Sequence, residues 1–451
     1  FGTNDKPVLI GGVVVTLVIV SLVVGAIGVT RPRVAQGAMI ALGVIAFAAA
    51  LFDRTATANI VVTVLPTLLT GLVATVAVTY LLRRMGVLRG EAGSTDGFDR
   101  RAFLIGAFGI AAVAAIGGGL TRVFGGAAAR ESRANVTLPT AAEPAPPIPA
   151  GAQIELDGIS PYITPNKDFY RIDTALSVPD VPTEGYNLRI HGMVDRELNF
   201  SYQDLLDMPL EEHRVTLTCV SNEVGGPYVG NATWLGVRTS TLLEMAGVQS
   251  GADAVLSTSA DGWNTGTPLE AVTDDRSSLI AVGMNGQPLP LIHGFPVRMV
   301  VPGLYGYVSA TKWLTDIEVS RFSDFTAYWT SRDYDAEAPI KFSSRIDVPG
   351  SFEALPVDNV RVGGVAWAQT VGIEKVEVMI DDGEWMEAEL GASDTDETWR
   401  QWSWEWQDAT TGNHGITVRA TNKDGETQTS DRAPIRPNGT TGWHSVQFRV
   451  E

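Results

Sequence analysis

Hydrophobic and polar positions along the chain fall into two regimes. Residues 7–29 run 23 positions without a charge, residues 34–52 give 19 more, and residues 58–82 give 25. A fourth uncharged stretch, residues 102–120, is rich in glycine and alanine and therefore only mildly apolar. Each run is long enough to cross about 30 Å of hydrocarbon, so the pattern predicts four transmembrane helices and an anchor over residues 1–125. The run Glu143-Pro-Ala-Pro-Pro-Ile-Pro149 predicts an extended spacer over residues 126–150. From residue 151 the apolar runs shorten. Leu188–His191, Val215–Thr218 and Ala254–Ala260 read as strands, and Tyr202–Met208 as a short helix stopped by Pro209. From Val360 the pattern is β throughout, with turns at Asp381-Asp-Gly383 and Lys423-Asp-Gly425. About seven short strands spaced by turn signals predict an immunoglobulin-like sandwich over residues 331–451. Trp399, Trp402, Trp404 and Trp406 read as core or as an interface between copies.

Charge follows the same division. Residues 1–133 carry 12 lysines and arginines against 6 acids, while residues 134–451 carry 21 against 45. A part this acidic speaks against nucleic acid as a partner. Arginines at 31, 33, 83, 84, 89, 100 and 101 place the loops that hold them in the cytoplasm and the chain beyond residue 121 outside it. Phe98-Asp-Arg100-Arg101-Ala-Phe103-Leu104 looks like a twin-arginine export signal inside the chain. The expected localisation is therefore a multi-pass protein of the cell membrane whose catalytic part is extracytoplasmic. Phe1 in place of an initiator Met predicts an upstream segment, such as a further helix. No histidine precedes His191 and no Cys-x-x-Cys-His occurs, so no haem is expected in this chain. Electrons would then pass to a separate partner protein.

Cys219 is the single cysteine, and no internal disulfide is possible. It ends the run Val215-Thr-Leu-Thr-Cys219 and is followed by Ser-Asn and a Gly-Gly pair, a strand end that can aim a sulfur at a bound group. On this stretch alone, a buried structural cysteine serves equally well. Together with Gly230-Asn-Ala-Thr-Trp234-Leu-Gly236, Met284-Asn-Gly-Gln-Pro-Leu-Pro290 and His293-Gly-Phe-Pro-Val-Arg298, the stretch resembles the molybdenum-cofactor domain of the sulfite oxidase family. The continuation Pro302-Gly-Leu-Tyr-Gly306-Tyr-Val-Ser-Ala-Thr-Lys312 adds to that resemblance.

The resemblance implies an α+β molybdopterin domain over residues 151–330 and a dimerisation domain after it, with a homodimer as one outcome. It implies that Cys219 is the thiolate on molybdenum, a soft ligand for a high-valent metal. In Ile163-Thr-Pro-Asn166-Lys-Asp168-Phe-Tyr-Arg171 it implies that Asn166 and Arg171 touch the pterin, beside Phe169 and Tyr170. Arg171 is also the residue that could serve an anionic substrate. Ser259, or Thr258 if the match slips by one, takes the place of a small hydroxyl near the cofactor. His293, Arg298, Ser309, Thr311 and Lys312 would hold the pterin and its phosphate, while His191 and His213 read as structural. Without GxxxxGK[ST] or GxGxxG in that block, nucleotide binding is not expected.

The implied function is oxygen-atom transfer to or from a small substrate, with sulfite oxidation first. Two departures weigh on it. The loop after Cys219 reads Glu223-Val-Gly-Gly where sulfite oxidases carry arginines, and Thr326 stands where they carry an active-site tyrosine. Reduction of sulfoxide-like substrates is the alternative, and a catalytically inactive binding or assembly subunit is a third.

Overall fold

The computed structural model describes residues 31–51, 126–175 and 177–451, with residues 12, 15–16, 19–20, 23–24, 26–27, 75–76 and 79–80. The chain divides into two compact units, Phe1–Ala127 with Ala175–Ser177, and Ala128–Thr174 with Val178–Glu451. In the first, a helix covers Pro32–Leu51, and Gln36 Nε2 on it donates to Thr79 Oγ1 at 3.4 Å. The expected span 102–120, the Arg100-Arg101 motif, and most of 7–29 and 58–82 lie outside the described residues. Among the described residues no helix is long and apolar enough to cross a membrane. This overturns the expected transmembrane anchor, and with it the multi-pass, extracytoplasmic localisation. An uncharged run reports composition, whereas a span needs length and apolarity in the same helix.

The second unit is built mainly from strands. Its first ten are β1 (Leu188–Gly192), β2 (Leu198–Phe200), β3 (Glu211–Thr218), β4 (Val229–Arg238) and β5 (Ala254–Ser259), then β6 (Asn264–Pro268), β7 (Leu279–Met284), β8 (Gln287–Pro288), β9 (Arg298–Val300) and β10 (Leu314–Ser320). They form two sheets, ordered β2-β1-β10-β5-β6 and β3-β4-β7-β8, with β9 paired to β7. Between them stand short helices: Tyr202–Leu206, Thr239–Ala246, Glu270–Thr273 and Gly306–Ser309. This part is therefore mostly β with helical connections, not the α+β balance expected. Tyr202–Leu206 starts where the polar pattern predicts, because Ser201 and Asp204 cap each other's backbone N–H. The region expected as a spacer carries the helix Ala127–Asn135. Arg133 on that helix donates to the Leu289 and Pro288 carbonyls at 2.8 Å, tying it to the following sheet.

The remaining strands are β11 (Ser343–Val348), β12 (Ala354–Leu355), β13 (Arg361–Trp367), β14 (Ile373–Ile380), β15 (Trp385–Glu387), β16 (Glu389–Leu390), β17 (Arg400–Glu405), β18 (Gly412–Asn422) and β19 (His444–Val450). They form sheets ordered β11-β13-β17-β16 and β12-β19-β18-β14-β15, which share a core around Trp402, Val376, Val418 and Phe448. Residues 385–390 form two strands. Trp385–Glu387 pairs with β14 while Glu389–Leu390 pairs with β17 in the other sheet. The tryptophan row also divides. Trp402 is in this core, but Trp399 and Trp367 pack into the core around β1, β5 and β10.

Strand β3 is an edge strand, and unpaired edges need cover. Here Glu143 pairs with Glu211 at its start, and Thr216 N–H donates to the Glu397 carbonyl at 3.0 Å further on. Trp399 N–H and Gln369 Nε2 add bonds to Thr216 Oγ1 and Thr216 O. Segments before and long after β3 therefore hold the strand that ends at Cys219.

Candidate functional site

Cys219 follows β3 directly. Its N–H donates to Tyr228 O at 2.9 Å, and its carbonyl accepts from Asn222 N–H at 2.9 Å. The Asn222 side chain accepts from Tyr228 N–H at 2.7 Å, so the loop closes on itself. Ser221 N–H points at Cys219 Sγ from 3.4 Å. Burial pushes the thiol upward, and the Ser221 donor and the Lys312 charge oppose it. A bound cation would reverse the balance and hold the thiolate.

Cys219 is buried at the wall of a cavity. Seven of the residues singled out from the sequence line it. Phe169 and Tyr170 form one side, stacked at 5.2 Å. Ser259 stands at the end of β5. His293, whose ring packs edge-on against Phe169 at 5.6 Å, lines it together with the cationic Arg298 and Lys312. Gly294 is what brings the last three together. Its φ is +110°, and a Cβ there would stand 3.0 Å from Arg298 Cβ and 3.1 Å from Lys312 Cα.

The four others do not line the cavity. Asn166 accepts from Asn285 Nδ2 at 2.8 Å and donates to Met284 O at 3.2 Å, and its carbonyl accepts from His293 Nε2 at 2.9 Å. Ser309 donates to Leu304 O and Tyr305 O, and Thr311 bonds Ser257 at 2.7 Å. Arg171 Nε binds Asp173 Oδ2 at 2.8 Å, and the same carboxylate takes Lys312 Nζ at 2.7 Å.

The cationic side is unusual for its depth. Arg298 is 4 % exposed, and among the described residues no carboxylate pairs with it. Its Nη1 donates to His293 O at 3.1 Å, Nε to Met299 O at 3.3 Å, and its guanidinium lies 4.8 Å over the Trp234 ring. Burial lowers its pKa to about 10, and that of Lys312 to about 8 against the pull of Asp173. His293 falls to about 4 through burial and the Arg298 charge, so it is neutral at pH 7. A carbonyl can accept but not donate, so His293 Nε2 carries the hydrogen and Nδ1 is a bare acceptor. A soft donor at one end and desolvated cations at the other fit a metal carried by an anionic organic group.

The cavity also includes residues the sequence reading did not assign to a site: Asp173, Asp261, Trp263, Tyr307, Trp329 and Tyr334. Asp261 was legible as the neighbour of Ser259. Tyr334 was not, because nothing in spacing ties it to Cys219, 115 positions earlier. His191 and His213 pair with Asp316 at 3.0 Å and Glu211 at 2.7 Å, well satisfied as structural groups.

Residues 175–329 match the family described as "Oxidoreductase molybdopterin binding domain". The chain is 30% identical to the mitochondrial sulfite oxidase of Rattus norvegicus over 341 residues, 64% of this chain and 62% of that protein. It is 33% identical over 176 residues to "Uncharacterized oxidoreductase YuiH" of Bacillus subtilis (strain 168), covering 38% of this chain and 85% of that one. The chain thus spans a little under two thirds of the rat enzyme it matches. Among solved structures, the sulfane dehydrogenase SoxCD of Paracoccus pantotrophus aligns with a TM-score of 0.55 at 22% identity, over 66% of this chain and 85% of that one, a likeness of fold.

Proposed function

Because the chain belongs to the sulfite oxidase family of oxidoreductases, with molybdenum–molybdopterin as its cofactor, we propose that Cys219 is its metal ligand and that it moves an oxygen atom to or from a small substrate. The supporting observation is that Cys219, Lys312 and Arg298, which pairs with no carboxylate among the described residues, line one cavity. Bound there, the cofactor supplies a two-electron change coupled to oxygen exchange.

The chain's own residues would do the holding. Arg298, Lys312 and His293 would take the pterin and its phosphate, Ser259 would add a hydroxyl, and Phe169 and Tyr170 would flank the rings. Asn166, Ser309 and Thr311 would act from behind, Asn166 by fixing the His293 ring. Arg171 would steady Lys312 through Asp173 rather than meet the substrate. In this reading residues 151–330 are the catalytic part and residues 331–451 an immunoglobulin-like part available for a homodimer, with a separate protein as electron partner.

Sulfite oxidation is the first reading. Reduction of sulfoxide-like substrates is the second, favoured by the arginine-free loop Ser221–Gly226 and by the engagement of Arg171 with Asp173. Molybdenum per chain, followed by turnover of sulfite and of methionine sulfoxide, tests both. Absence of metal from the purified wild type would remove the assignment altogether.

A further inference from the structure

The C-terminal part holds the chain on both sides of Cys219. Before the cysteine, Gln369 Nε2 and Trp399 N–H bind Thr216 on β3. After it, the Gly226 carbonyl accepts from Arg345 Nη1 at 2.9 Å, a bond that spans 119 positions. The His444 ring packs against Gly225 so closely that no Cβ would fit there, and the Ile346 N–H holds that ring at 3.0 Å. Arg345 stands on β11 and His444 on β19, so two strands of the C-terminal part reach one short loop.

Arg345 has the form of a strut. It is 8 % exposed, and its Nε binds Asp347 Oδ1 at 2.6 Å. Its Nη2 donates to Ser160 Oγ at 2.8 Å, and the Ser160 N–H donates to the other Asp347 oxygen at 2.9 Å. A planar guanidinium fixed at two corners has little freedom at the third, and here the third is on Gly226.

The loop so held carries a donor for the sulfur. Gly226 N–H donates to Glu223 O at 2.8 Å, Tyr228 N–H to Asn222 Oδ1 at 2.7 Å, and Asn222 N–H to Cys219 O at 2.9 Å. Between these bonds the Ser221 N–H points at Cys219 Sγ from 3.4 Å. That donor favours the charged sulfur over the thiol. An N–H aimed at a metal-bound sulfur also draws electron density from it and so stabilises the reduced metal.

We propose that Arg345 is a positioning residue for the metal ligand: by holding Gly226 it keeps the Ser221 N–H on the Cys219 sulfur, and it thereby sets the reduction potential of the bound metal. This rests on Cys219 being that ligand. It gives the C-terminal part a share in tuning the site, beyond offering a surface to a second copy.

The test uses the molybdenum-loaded full chain and reads the metal's reduction potential by potentiometric titration, together with its sulfur-to-metal charge-transfer absorption. Arg345→Lys keeps a cation beside Asp347 but cannot bridge to Ser160 and Gly226 at once. It is expected to shift the potential to more negative values, severalfold in the one-electron equilibrium, and to move the absorption to longer wavelength. Ser160→Ala removes only the brace on Nη2 and is expected to shift both in the same direction by less. Arg400 donates to the Gly391 and Ile373 carbonyls within the C-terminal part, so Arg400→Lys loses bonds of the same kind away from the cysteine loop. That control is expected to lower the melting temperature and to leave potential and absorption unchanged. Arg345→Lys and Ser160→Ala both at the wild-type potential, or Arg400→Lys shifting it equally, would overturn the proposal. Molybdenum absent from wild type, or retained by Cys219→Ser, would remove the ligand assignment itself and the proposal with it.

Discussion

Protonation state governs the site at the scale of single residues. Lys312 is charged below about pH 8, so its hold on an anion fails as pH rises through that value. Cofactor release from the holoprotein is expected to accelerate above pH 8, read as free molybdenum after gel filtration; a flat profile from pH 7 to 9.5 would contradict it. His293 and His444 behave oppositely. Both titrate near 4 when folded, below the ordinary value of 6.5, so the unfolded chain takes up protons first. Stability is therefore complete above about pH 6.5 and declines towards pH 4. At His444 burial is the main cause, with the Arg345 charge adding to it, and its Nδ1 accepts from Ile346 N–H at 3.0 Å, where protonation would put a donor against a donor. Thermal melting should fall over that window, and His444→Gln should reduce the slope. Cys219→Ser is expected to abolish metal retention with little change in fold, measured by metal analysis and circular dichroism. Among the residues, those in short-range blocks were legible: Cys219, His293, Arg298 and Lys312 all reach the cavity. The resemblance implies that Asn166 and Thr311 touch the cofactor, but the Asn166 side chain accepts from Asn285 Nδ2 and donates to Met284 O, and the Thr311 hydroxyl pairs with Ser257. Satisfaction by distant partners leaves no mark in the local sequence.

Elements show why the cationic side depends on one glycine. Gly294 lies between the turn Leu291–His293 and β9, and its positive φ lets Arg298 and Lys312 approach the same point. Gly294→Ala is expected to cost about 1–3 kcal/mol in stability and to lower molybdenum content, which denaturant melts and metal analysis would read. Strand existence was legible from periodicity, as in β1, β3 and β5. The division of 385–390 between two sheets was not, because one residue, Ala388, carries the change of partner through its N–H to Val376 O at 2.9 Å. The four-helix anchor failed at this scale too, since uncharged length was read as a span and no helix among the described residues meets that requirement.

For the 128–451 unit as a whole, the two β-rich parts share interior. Arg214 at the middle of β3 is bidentate to Asp394, both side chains 4% exposed, with Nη2 to Oδ1 at 2.8 Å. Asp394→Ala would leave that guanidinium buried and unpaired, and is expected to cost about 3–5 kcal/mol, measurable as a lowered melting temperature. A loss below about 1 kcal/mol would mean that water reaches the pair. No sequence pattern announces such a contact across 180 positions. The cover on the free edge of β3 carries a consequence for biogenesis. The ribosome delivers Cys219 long before Glu397 and Trp399, which complete the hydrogen bonds beside it. A nascent chain therefore leaves the free edge of β3 beside Cys219 uncovered until Glu397 and Trp399 have emerged.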